Sequence, residues 1–566
     1  MKRKIIEFKD YSFKYRVQSE PTLKNINLTI YEGQKVLIVG PSGSGKSTLA
    51  HCLNGLVPFY YNGKVSGELF IDGENVKDKN IFELSKIIGT GLQDPDSQFI
   101  GLTVAEDIAF KLENNCVEQN IMKDIVNESA KLVDIDKELE SSPYKLSGGQ
   151  KQRVTLAGVT VDDIKILLFD EPLASLDPLT GKHAIELIDD IQKKNNKTMI
   201  IVEHRLEDVL HRDIDRIIVM NNGEIIADTT PNEILCTDIL KNIGVREPLY
   251  ISALKYANCK LDATMNPESI DKINLDTCKE SLNNWYLNIQ EDEVYSNDTH
   301  ILEVKDLSFS YSEEKQILKN VSFKVNKGDM VSIVGKNGAG KSTISKLICG
   351  FYNPTSGTIL LSGEDISDKT IKERSEKIGF VMQNPNQMIS KSMIFDEVAF
   401  GLRVRGYSEE EVKERVYNVL KICGLYKFRN WPISALSFGQ KKRVTIASIL
   451  VLNPEVIILD EPTAGQDFKH YSEIMEFLVE LNKQGVTIIM ITHDMHLMLE
   501  YTNNVIVLSE GKKIADDTAI NILTKDEVIE KANLKETSLY ELAQKCGIKD
   551  EKNFIKRFID YDRRVR

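Results

Sequence analysis

The chain of 566 residues lacks three features, each of which would assign it to a class of protein. It contains no run of roughly 18 apolar residues, the length that a membrane-spanning helix requires, so we do not expect it to span a membrane by itself. Its eight cysteines include no C-x-x-C pair, which indicates reduced thiols of a cytosolic protein rather than disulfides or a zinc site. Positive charge is not in excess either, because the formal net charge is −13, and broad binding to nucleic acid is therefore disfavoured.

A glycine-rich turn between an apolar run and a helical pattern is the first motif of the chain. Residues 40–48 read GPSGSGKST and match G-x-x-x-x-G-K-[ST] in full, directly after the apolar residues 36–39. In such a P-loop, backbone N–H groups surround phosphate oxygens at a helix N-terminus, the lysine reaches the β- and γ-phosphates, and the serine binds Mg²⁺. The predicted nucleotide-binding residues are Gly40, Pro41, Ser42, Gly43, Ser44, Gly45, Lys46, Ser47 and Thr48.

The same motif returns as GKNGAGKST in the second half of the chain. Its lysine, Lys341, follows Lys46 by 295 positions, and a chain of this length exceeds what one hydrophobic core usually supports. The sequence therefore predicts two related domains. The second set of predicted nucleotide-binding residues is Gly335, Lys336, Asn337, Gly338, Ala339, Gly340, Lys341, Ser342 and Thr343.

A tyrosine at the end of an alternating, strand-like segment precedes each P-loop. Tyr15 and Tyr311 lie 296 positions apart. An aromatic ring upstream of a P-loop can stack on adenine, so both tyrosines are predicted to bind the nucleotide. The alternative, an ordinary core or surface tyrosine of a strand, remains open for either residue taken alone.

Two carboxylates follow a continuous apolar run in each half, namely Asp170 with Glu171 and Asp460 with Glu461. Such runs are typical of fully buried parallel strands. The aspartates are predicted to support Mg²⁺ and the glutamates to polarise the attacking water. A simple helix cap is the alternative for an Asp-Glu pair, and the repetition in register disfavours it.

A glutamine at a strand end precedes each carboxylate pair, and a histidine after a strand follows it. Gln93 and Gln383, 290 positions apart, are predicted to contact Mg²⁺ or the attacking water and to sense an attached partner. His204 and His493 are predicted to contact the γ-phosphate and to order the water. A lone histidine is more often structural, so this prediction depends on the order of all the motifs.

A helical pattern between the glutamine and the carboxylates ends in a small-residue motif, LSGGQ at residues 146–150 and LSFGQ at residues 436–440. A serine hydroxyl and backbone N–H groups that open a helix can bind a γ-phosphate from a second direction. The predicted binding residues are Ser147, Gly148, Gly149, Gln150, Ser437, Gly439 and Gln440.

These motifs, in this order and twice over, resemble the ATP-binding-cassette ATPases. The resemblance implies an α/β fold with two P-loop NTPase domains, each a mainly parallel sheet core with an antiparallel β part and a helical subdomain. It also implies that each ATP lies between the P-loop of one cassette and the LSGGQ-type signature motif of the other. The implied Mg²⁺ ligands are Ser47, Gln93 and Asp170 at one site and Ser342, Gln383 and Asp460 at the other.

Two departures from the family pattern make the sites unequal. Phe438 replaces the first glycine of the signature pair, and Gln466 stands where the first cassette has Leu176. The ring of Phe438 could crowd the phosphate or point outward, and the sequence leaves both open. We hypothesise that the ATP site that uses Phe438 turns over more slowly.

Each repeat is predicted to continue beyond its last motif into a C-terminal accessory element. The evidence is a pair of similar tripeptides, residues 248–250 and 538–540, which lie 290 positions apart. We predict a first domain at residues 1–261, an acidic linker at 262–300 and a second domain at 301–566. The linker contains nine acidic and two basic residues, which predicts a polar, flexible segment. The basic, amphipathic end of the chain predicts a solvated helix, with contact to anionic lipid or a partner as the alternative.

Five stretches, residues 93–98, 103–110, 202–205, 383–387 and 396–400, resemble the ATPases of energy-coupling-factor importers, including tandem ATPases that serve vitamin, thiamine-precursor or cobalt and nickel uptake. The resemblance implies ATP-driven import of a micronutrient by a peripheral protein at the cytoplasmic face of the cell membrane. Its implied partners are an integral T-type coupling subunit and a small substrate-binding subunit, without nucleic acid. Two alternatives are a tandem ATPase acting on the ribosome, which the acidic linker disfavours, and the fused ATPase of a sugar importer, which residues 93–110 do not fit.

Overall fold

The structure, a computed structural model, describes residues 2–16, 18–92, 96, 98–174, 176–290, 299–312 and 315–566. The chain divides into two compact units. The first comprises Met1–Asn288, Asp467–Lys469 and Glu541–Lys549, and the second comprises Ile289–Gln466, His470–Tyr540 and Asp550–Arg566.

The first repeat alternates strands and helices. Its strands are β1 (Lys4–Tyr15), β2 (Leu23–Tyr31), β3 (Lys35–Val39), β4 (Gly63–Ile71), β5 (Glu74–Asn75), β6 (Ile88–Gly91), β7 (Ile166–Asp170), β8 (Thr198–Val202), β9 (Arg216–Asn221) and β10 (Glu224–Thr229). Its helices are α1 (Lys46–Leu53), α2 (Leu56–Phe59), α3 (Ile81–Ser85), α4 (Val104–Asn114), α5 (Gln119–Leu132), α6 (Gly148–Thr160), α7 (Pro178–Asn195), α8 (Leu206–Val209), α9 (Pro231–Leu235), α10 (Ile239–Asn242), α11 (Leu249–Tyr256) and α12 (Lys279–Asn288).

The second repeat follows the same order. Its strands are β11 (His300–Ser312), β12 (Lys315–Asn326), β13 (Met330–Val334), β14 (Ser356–Leu361), β15 (Glu364–Asp365), β16 (Ile378–Val381), β17 (Val456–Asp460), β18 (Thr487–Ile491), β19 (Asn504–Ser509) and β20 (Lys512–Asp517). Its helices are α13 (Lys341–Ile348), α14 (Ile371–Arg374), α15 (Ile394–Val404), α16 (Glu409–Ile422), α17 (Phe438–Leu450), α18 (Phe468–Lys483), α19 (Met495–Tyr501), α20 (Ala519–Ile522), α21 (Asp526–Ala532), α22 (Ser538–Lys545) and α23 (Glu551–Val565).

A six-stranded sheet forms the centre of each repeat, in the order β10-β9-β3-β8-β7-β6 and β16-β17-β18-β13-β19-β20. The strands pair in parallel except for β10 and β20, which are antiparallel to their neighbours. Every residue of β3, β7, β8, β13 and β18 is buried, as continuous apolar runs require when helices cover both faces of a sheet. The carboxyl ends of β3, β7 and β8 meet at one edge, which is where the P-loop, the carboxylates and the histidine begin.

An antiparallel sheet and a helical part complete each cassette. The antiparallel sheets have the orders β2-β1-β4-β5 and β12-β11-β14-β15. The helical part consists of α4 to α6 and of α15 to α17, and in the second cassette it has its own apolar core. Capping boxes start α4 at Thr103 and α16 at Ser408. The predicted fold is therefore confirmed in both halves.

Most of the predicted acidic linker is folded. Within residues 262–290, Leu275, Cys278 and Leu282 are buried, and α12 packs against α11. The predicted flexibility is wrong for this part, because these apolar side chains, spaced among the acidic ones, have a surface on which to pack. Residues 291–298 lie outside the described part of the chain.

The basic C-terminal end forms α23, and only one of its faces is solvated. Phe554, Ile555 and Phe558 are buried, and the helix contacts α19 and α20. The prediction of a solvated helix is therefore wrong for the apolar face. Within the described ranges, no helix is both long and apolar enough to cross a bilayer.

Candidate ATP-binding and hydrolysis sites

Each P-loop joins a buried central strand to a helix and passes very close to a neighbouring strand. An ideal Cβ atom on Gly40 would lie 2.2 Å from the carbonyl oxygen of Met220, and one on Gly335 would lie 2.0 Å from that of Leu508. Only glycine permits this approach, so these two positions hold the loops against β9 and β19. The other predicted residues follow in the same two loops or in the first turn of α1 and α13: Ser42, Gly43, Ser44, Gly45, Ser47, Thr48, Asn337, Gly338, Ala339, Gly340, Ser342 and Thr343.

The P-loop lysines are buried and held by their own loops. Lys46 Nζ donates to the carbonyl oxygens of Gly40 at 2.8 Å and Pro41 at 3.0 Å. Lys341 Nζ donates to those of Gly335 at 2.6 Å and Lys336 at 3.1 Å. Burial lowers the pKa of Lys46, while the nearby charge of Glu171 opposes that shift.

The environment of these lysines fits the triphosphate of a nucleotide. Helix α1 begins at Lys46 and has no side-chain cap among the described residues, so its positive N-terminal end faces the loop. A buried ammonium group beside such an end attracts an anion. The P-loops therefore have the charge and backbone shape that phosphate groups require.

The two aspartates at the strand ends lie beside the P-loop serines. Ser47 Oγ donates to Asp170 Oδ1 at 3.4 Å, and Ser342 forms a hydrogen bond with Asp460. Burial, reinforced by the charge of Glu171, nevertheless raises the pKa of Asp170 to about 6. Burial likewise raises the pKa of Asp460. A divalent cation would offset the charge that burial disfavours, so the carboxylate and hydroxyl donors fit Mg²⁺.

The adjacent glutamates adopt an unusual backbone conformation. Glu171 has a φ of 49° and Glu461 a φ of 47°, which is the left-handed region. Their N–H groups donate to the carbonyl oxygens of Val202 at 2.8 Å and Ile491 at 2.9 Å, the last residues of β8 and β18. This turn brings each carboxylate next to the histidine that follows the same strand.

The histidine contact differs between the cassettes. His493 Nδ1 lies 2.7 Å from Glu461 Oε1. His204 Nδ1 lies 3.8 Å from Glu171 Oε1 and closer, at 3.4 Å, to Glu203 Oε1. Burial lowers the pKa of His204, but these two carboxylates outweigh it and hold the pKa above its ordinary value.

Glu203 is a functional candidate that sequence reasoning missed. It is 1% exposed and takes the place of Thr492 in the second cassette. Its carboxylate accepts the backbone N–H groups of His204 at 2.9 Å, Arg205 at 3.2 Å and Leu173 at 3.3 Å. Its signals in the sequence were the difference between Val-Glu-His and Ile-Thr-His and the resemblance of residues 202–205 to energy-coupling-factor ATPases, which assigns this glutamate no role.

The glutamine loop of the second cassette is held by a buried lysine. Lys442, 1% exposed, donates through Nζ to the carbonyl oxygens of Met382 at 2.9 Å and Gln383 at 2.8 Å. Burial lowers its pKa to about 8. The first cassette has the buried Gln152 at the matching position, and its predicted site residue Gln93 lies outside the described residues.

The tyrosine before each P-loop contacts the P-loop helix of its own cassette. The hydroxyl groups of Tyr15 and Thr48 lie 3.0 Å apart, and those of Tyr311 and Thr343 lie 3.2 Å apart. The ring of Tyr311 is 54% exposed, which disfavours a simple core role. The predicted contact with adenine stays a prediction.

The signature motifs cap their own helices. The hydroxyl groups of Ser147 and Ser437 accept the N–H groups of Gln150 at 3.4 Å and Gln440 at 3.3 Å, and both glutamine side-chain oxygens accept the backbone N–H of the capping serine. Phe438 is the first residue of α17 and is 44% exposed. Their predicted action on the ATP of the other cassette stays a prediction, as it does for Gly148, Gly149 and Gly439.

Comparison with known protein families identifies the family to which the chain belongs. The family profile described as ABC transporter matches residues 23–174 and 318–464, together more than half of the chain. The chain belongs to the ABC transporter family. A second profile, described as ATP-binding cassette cobalt transporter, matches residues 237–309. The predicted recognition as an ABC-type ATPase is confirmed.

Relatives of this ABC protein match over its whole length. An ABC transporter ATP-binding protein of Clostridium perfringens (strain 13 / Type A) is 66% identical over 100% of both chains. One from Enterococcus faecalis (strain ATCC 700802 / V583) is 56% identical, again over 100% of both. Among solved structures, cbiO1 from Clostridium perfringens, described as part of the ABC transporter complex cbiONQ, is 40% identical with a TM-score of 0.39. It covers 42% of this chain and 95% of that one.

The family assigns the general activity. The chain is a transport-coupled ATPase with two ATP-binding cassettes, and it serves as the ATP-binding subunit of an ABC transporter. The predicted enzyme class is therefore confirmed.

Proposed function

We propose that this ABC ATPase energises the import of a small-molecule micronutrient as part of an energy-coupling-factor type importer. The observation that carries the proposal is the match of residues 237–309 to the family described as ATP-binding cassette cobalt transporter. That segment includes the folded part of the linker, a region outside the general cassette. The cargo class that this match favours is a transition-metal ion such as cobalt.

ATP hydrolysis drives the importer in this proposal. Lys341 binds the β- and γ-phosphates, Glu461 accepts a proton from the attacking water, and His493 holds Glu461 in position. Mg²⁺, held by Ser342, Gln383 and Asp460, would neutralise charge on the phosphates when bound. The first cassette uses Lys46, Glu171 and His204 with Ser47, Gln93 and Asp170 in the same roles.

A groove beside the glutamine loop of the second cassette supports the proposal that a membrane subunit docks on this chain. It has a volume of about 240 Å³, and its lining includes Phe351, Ile371 and Met382. These three apolar side chains are 47%, 48% and 36% exposed, although large apolar side chains are more often buried. Such a groove has room for a few apolar side chains, and we infer that a short amphipathic helix of an integral T-type subunit inserts them there. Met382 precedes Gln383 directly, so a helix docked there would move the glutamine loop.

The proposal places the protein at the cytoplasmic face of the cell membrane, attached through its partners. Those partners are the T-type subunit and a small substrate-binding membrane subunit. The ribosome and sugar-import alternatives are not favoured, because the second family match describes a cobalt transporter.

Affinity purification from gently solubilised membranes tests the proposal. We expect an integral T-type subunit and a small membrane subunit to copurify with the chain. Cells that carry the complex should accumulate radioactive cobalt in an ATP-dependent manner, and Lys46→Ala with Lys341→Ala should abolish this uptake. Recovery of ribosomes without membrane subunits would refute the transport proposal.

A charge in the groove tests the docking surface separately. Ile371→Asp should reduce recovery of the membrane subunits, because burying an unpaired carboxylate in an interface is unfavourable. Ile226→Asp is the matched control, since this isoleucine is 41% exposed on β10, outside the groove. Equal recovery with both variants would contradict docking in the groove.

A further inference from the structure

Each cassette places a second tyrosine against the tyrosine that precedes its P-loop. The ring of Tyr61 contacts that of Tyr15 with centroids 6.2 Å apart and an interplanar angle of 80°. The ring of Tyr352 contacts that of Tyr311 at 5.3 Å and 87°. Both are edge-to-face contacts, a favoured geometry for aromatic pairs.

The two second tyrosines reach this place along different backbone paths. Tyr61 follows Gly55 by six positions, whereas Tyr352 follows the equivalent Gly350 by two. The first cassette therefore has a longer connection, and the paths realign only at Gly67 and Gly357. The two tyrosines therefore do not occupy equivalent positions in the aligned repeats. Both nevertheless contact the tyrosine that precedes the P-loop, and this shared contact indicates a shared role.

The realignment of the two paths is visible in the backbone. An ideal Cβ on Gly67 would lie 2.3 Å from the carbonyl oxygen of Asp10, and one on Gly357 would lie 2.5 Å from that of Asp306. The two glycines therefore occupy equivalent places beside β1 and β11. The extra residues of the first cassette lie entirely before this point.

The second tyrosines complete a set of contacts around the first ones. Tyr15 also meets Phe13 edge to face at 4.8 Å, and its hydroxyl lies 3.0 Å from that of Thr48. Tyr311 has the same contacts with Phe309 at 4.9 Å and with Thr343 at 3.2 Å. A ring that is held from three directions is already ordered, so it loses little further conformational freedom when a ligand stacks on it.

We propose that Tyr61 and Tyr352 are positioning residues for the nucleotide base. They fix the orientation of Tyr15 and Tyr311 so that the adenine ring meets a preorganised aromatic face. This inference rests on the proposed role of Tyr15 and Tyr311 in nucleotide binding. His51 stacks on Tyr61 at 5.2 Å and extends the support in the first cassette.

Competition binding with two ligands tests the proposal in the full-length chain. The double variant Tyr61→Leu/Tyr352→Leu should bind ATP about two- to tenfold more weakly, the range that an edge-to-face aromatic contact contributes. Its affinity for inorganic triphosphate, which has no base, should not change. The KM for ATP should rise while kcat stays at the wild-type value.

The conservative variant and a neighbouring residue serve as controls. Tyr61→Phe/Tyr352→Phe keeps both rings and should bind ATP like the wild type. Phe59→Leu removes a ring two positions from Tyr61 that is 43% exposed, and it should leave ATP affinity unchanged. The second tyrosines are 39% and 38% exposed, so leucine there leaves the core intact.

Two outcomes would overturn the inference. Unchanged ATP affinity in the leucine variant would show that the second tyrosines do not support base binding. Equal loss of affinity for ATP and triphosphate would assign them to the P-loop instead. Failure of the proposed nucleotide site is a separate result, because Lys46→Ala/Lys341→Ala would then bind ATP like the wild type.

Discussion

The histidine of the second cassette lies within hydrogen-bond distance of the catalytic glutamate, whereas that of the first lies farther from its glutamate and closer to a second carboxylate. His493 lies 2.7 Å from Glu461, but His204 lies 3.8 Å from Glu171 and 3.4 Å from Glu203. We therefore expect His493 to hold its catalytic glutamate more firmly than His204 does. One residue beside the histidine therefore distinguishes two sites that have the same motifs.

A second difference lies at the glutamine loop. In the second cassette, the buried ammonium group of Lys442 binds two carbonyl oxygens of that loop, and the first cassette has an uncharged Gln152 at the same position. Hydrogen bonds from a charged donor are stronger than neutral ones. From both differences we expect the second cassette to build the more active hydrolysis centre.

The largest effect should come from the catalytic glutamates. We expect Glu461→Gln to remove most of the steady-state ATPase activity, since general-base catalysis contributes about 10²–10⁴-fold at a site. Glu171→Gln should leave a larger fraction of the ATPase activity than Glu461→Gln does. Equal residual activities would mean that the sites are equivalent despite their geometry.

Exchange of the buried lysine should have the next largest effect. Lys442→Gln removes hydrogen bonds of a charged donor, each of which contributes about 1.5–3 kcal/mol, although relief of the buried charge offsets part of this. In a Glu171→Gln background we expect a several-fold lower kcat, because the loop of Gln383 loses its anchor. Lys427→Gln is the control, as Lys427 is exposed, and an equal decrease there would exclude a specific role for Lys442.

Neutralising Glu203 should shift the titration of His204. Glu203→Gln removes one of the charges that raise the pKa of His204, so this pKa should fall. Because the folded-state pKa lies above the unfolded one, protonation stabilises the fold below about pH 6.5, and this gain is lost as pH rises through the folded-state pKa. The stabilisation that protonation of His204 contributes should be smaller in the Glu203→Gln variant.

An NMR titration measures this shift. The His204 resonance is assigned with His204→Gln, and thermal unfolding is followed across the same pH range. Glu224→Gln, at an exposed position of β10, is the control. A pKa unchanged by Glu203→Gln would mean that the 3.4 Å contact carries no charge interaction.

The smallest effect should come from the signature motif. Phe438→Gly restores the small residue that Gly148 provides in the first cassette. We expect a modest rise in ATPase activity of the Glu171 site, measured in a Glu461→Gln background, with a stability loss of about 1 kcal/mol from glycine in a helix. Slower turnover would contradict the hypothesis that the phenylalanine crowds the phosphate.

The motifs that depend on neighbours along the chain could be predicted from the sequence. The P-loop glycines, the carboxylates after β7 and β17, and the capping serines each form a local pattern with a local physical cause. These patterns also predicted the order of strands and helices, because the two repeats read alike.

Residues that act across long sequence distances could not be predicted. Lys442 binds carbonyl groups 60 and 59 positions away, and lysine is almost never fully buried, so its type pointed to the surface. Glu203 lies in a stretch that resembles energy-coupling-factor ATPases, but the resemblance assigns it no role, and the hydrogen bond that it accepts from Leu173 spans 30 positions. The linker was misjudged for the converse reason: its average composition is polar, but a few apolar residues such as Leu282 suffice to pack it.

The left-handed backbone at Glu171 and Glu461 sets stability and turnover against each other. A side chain other than glycine costs about 1–3 kcal/mol in such a conformation, so glycine or asparagine would suit the backbone better. Repeated selection for heat resistance alone would therefore replace both glutamates. Selection for ATP turnover would retain them, and in a variant library ranked by each property, the two rankings should run in opposite directions at these positions.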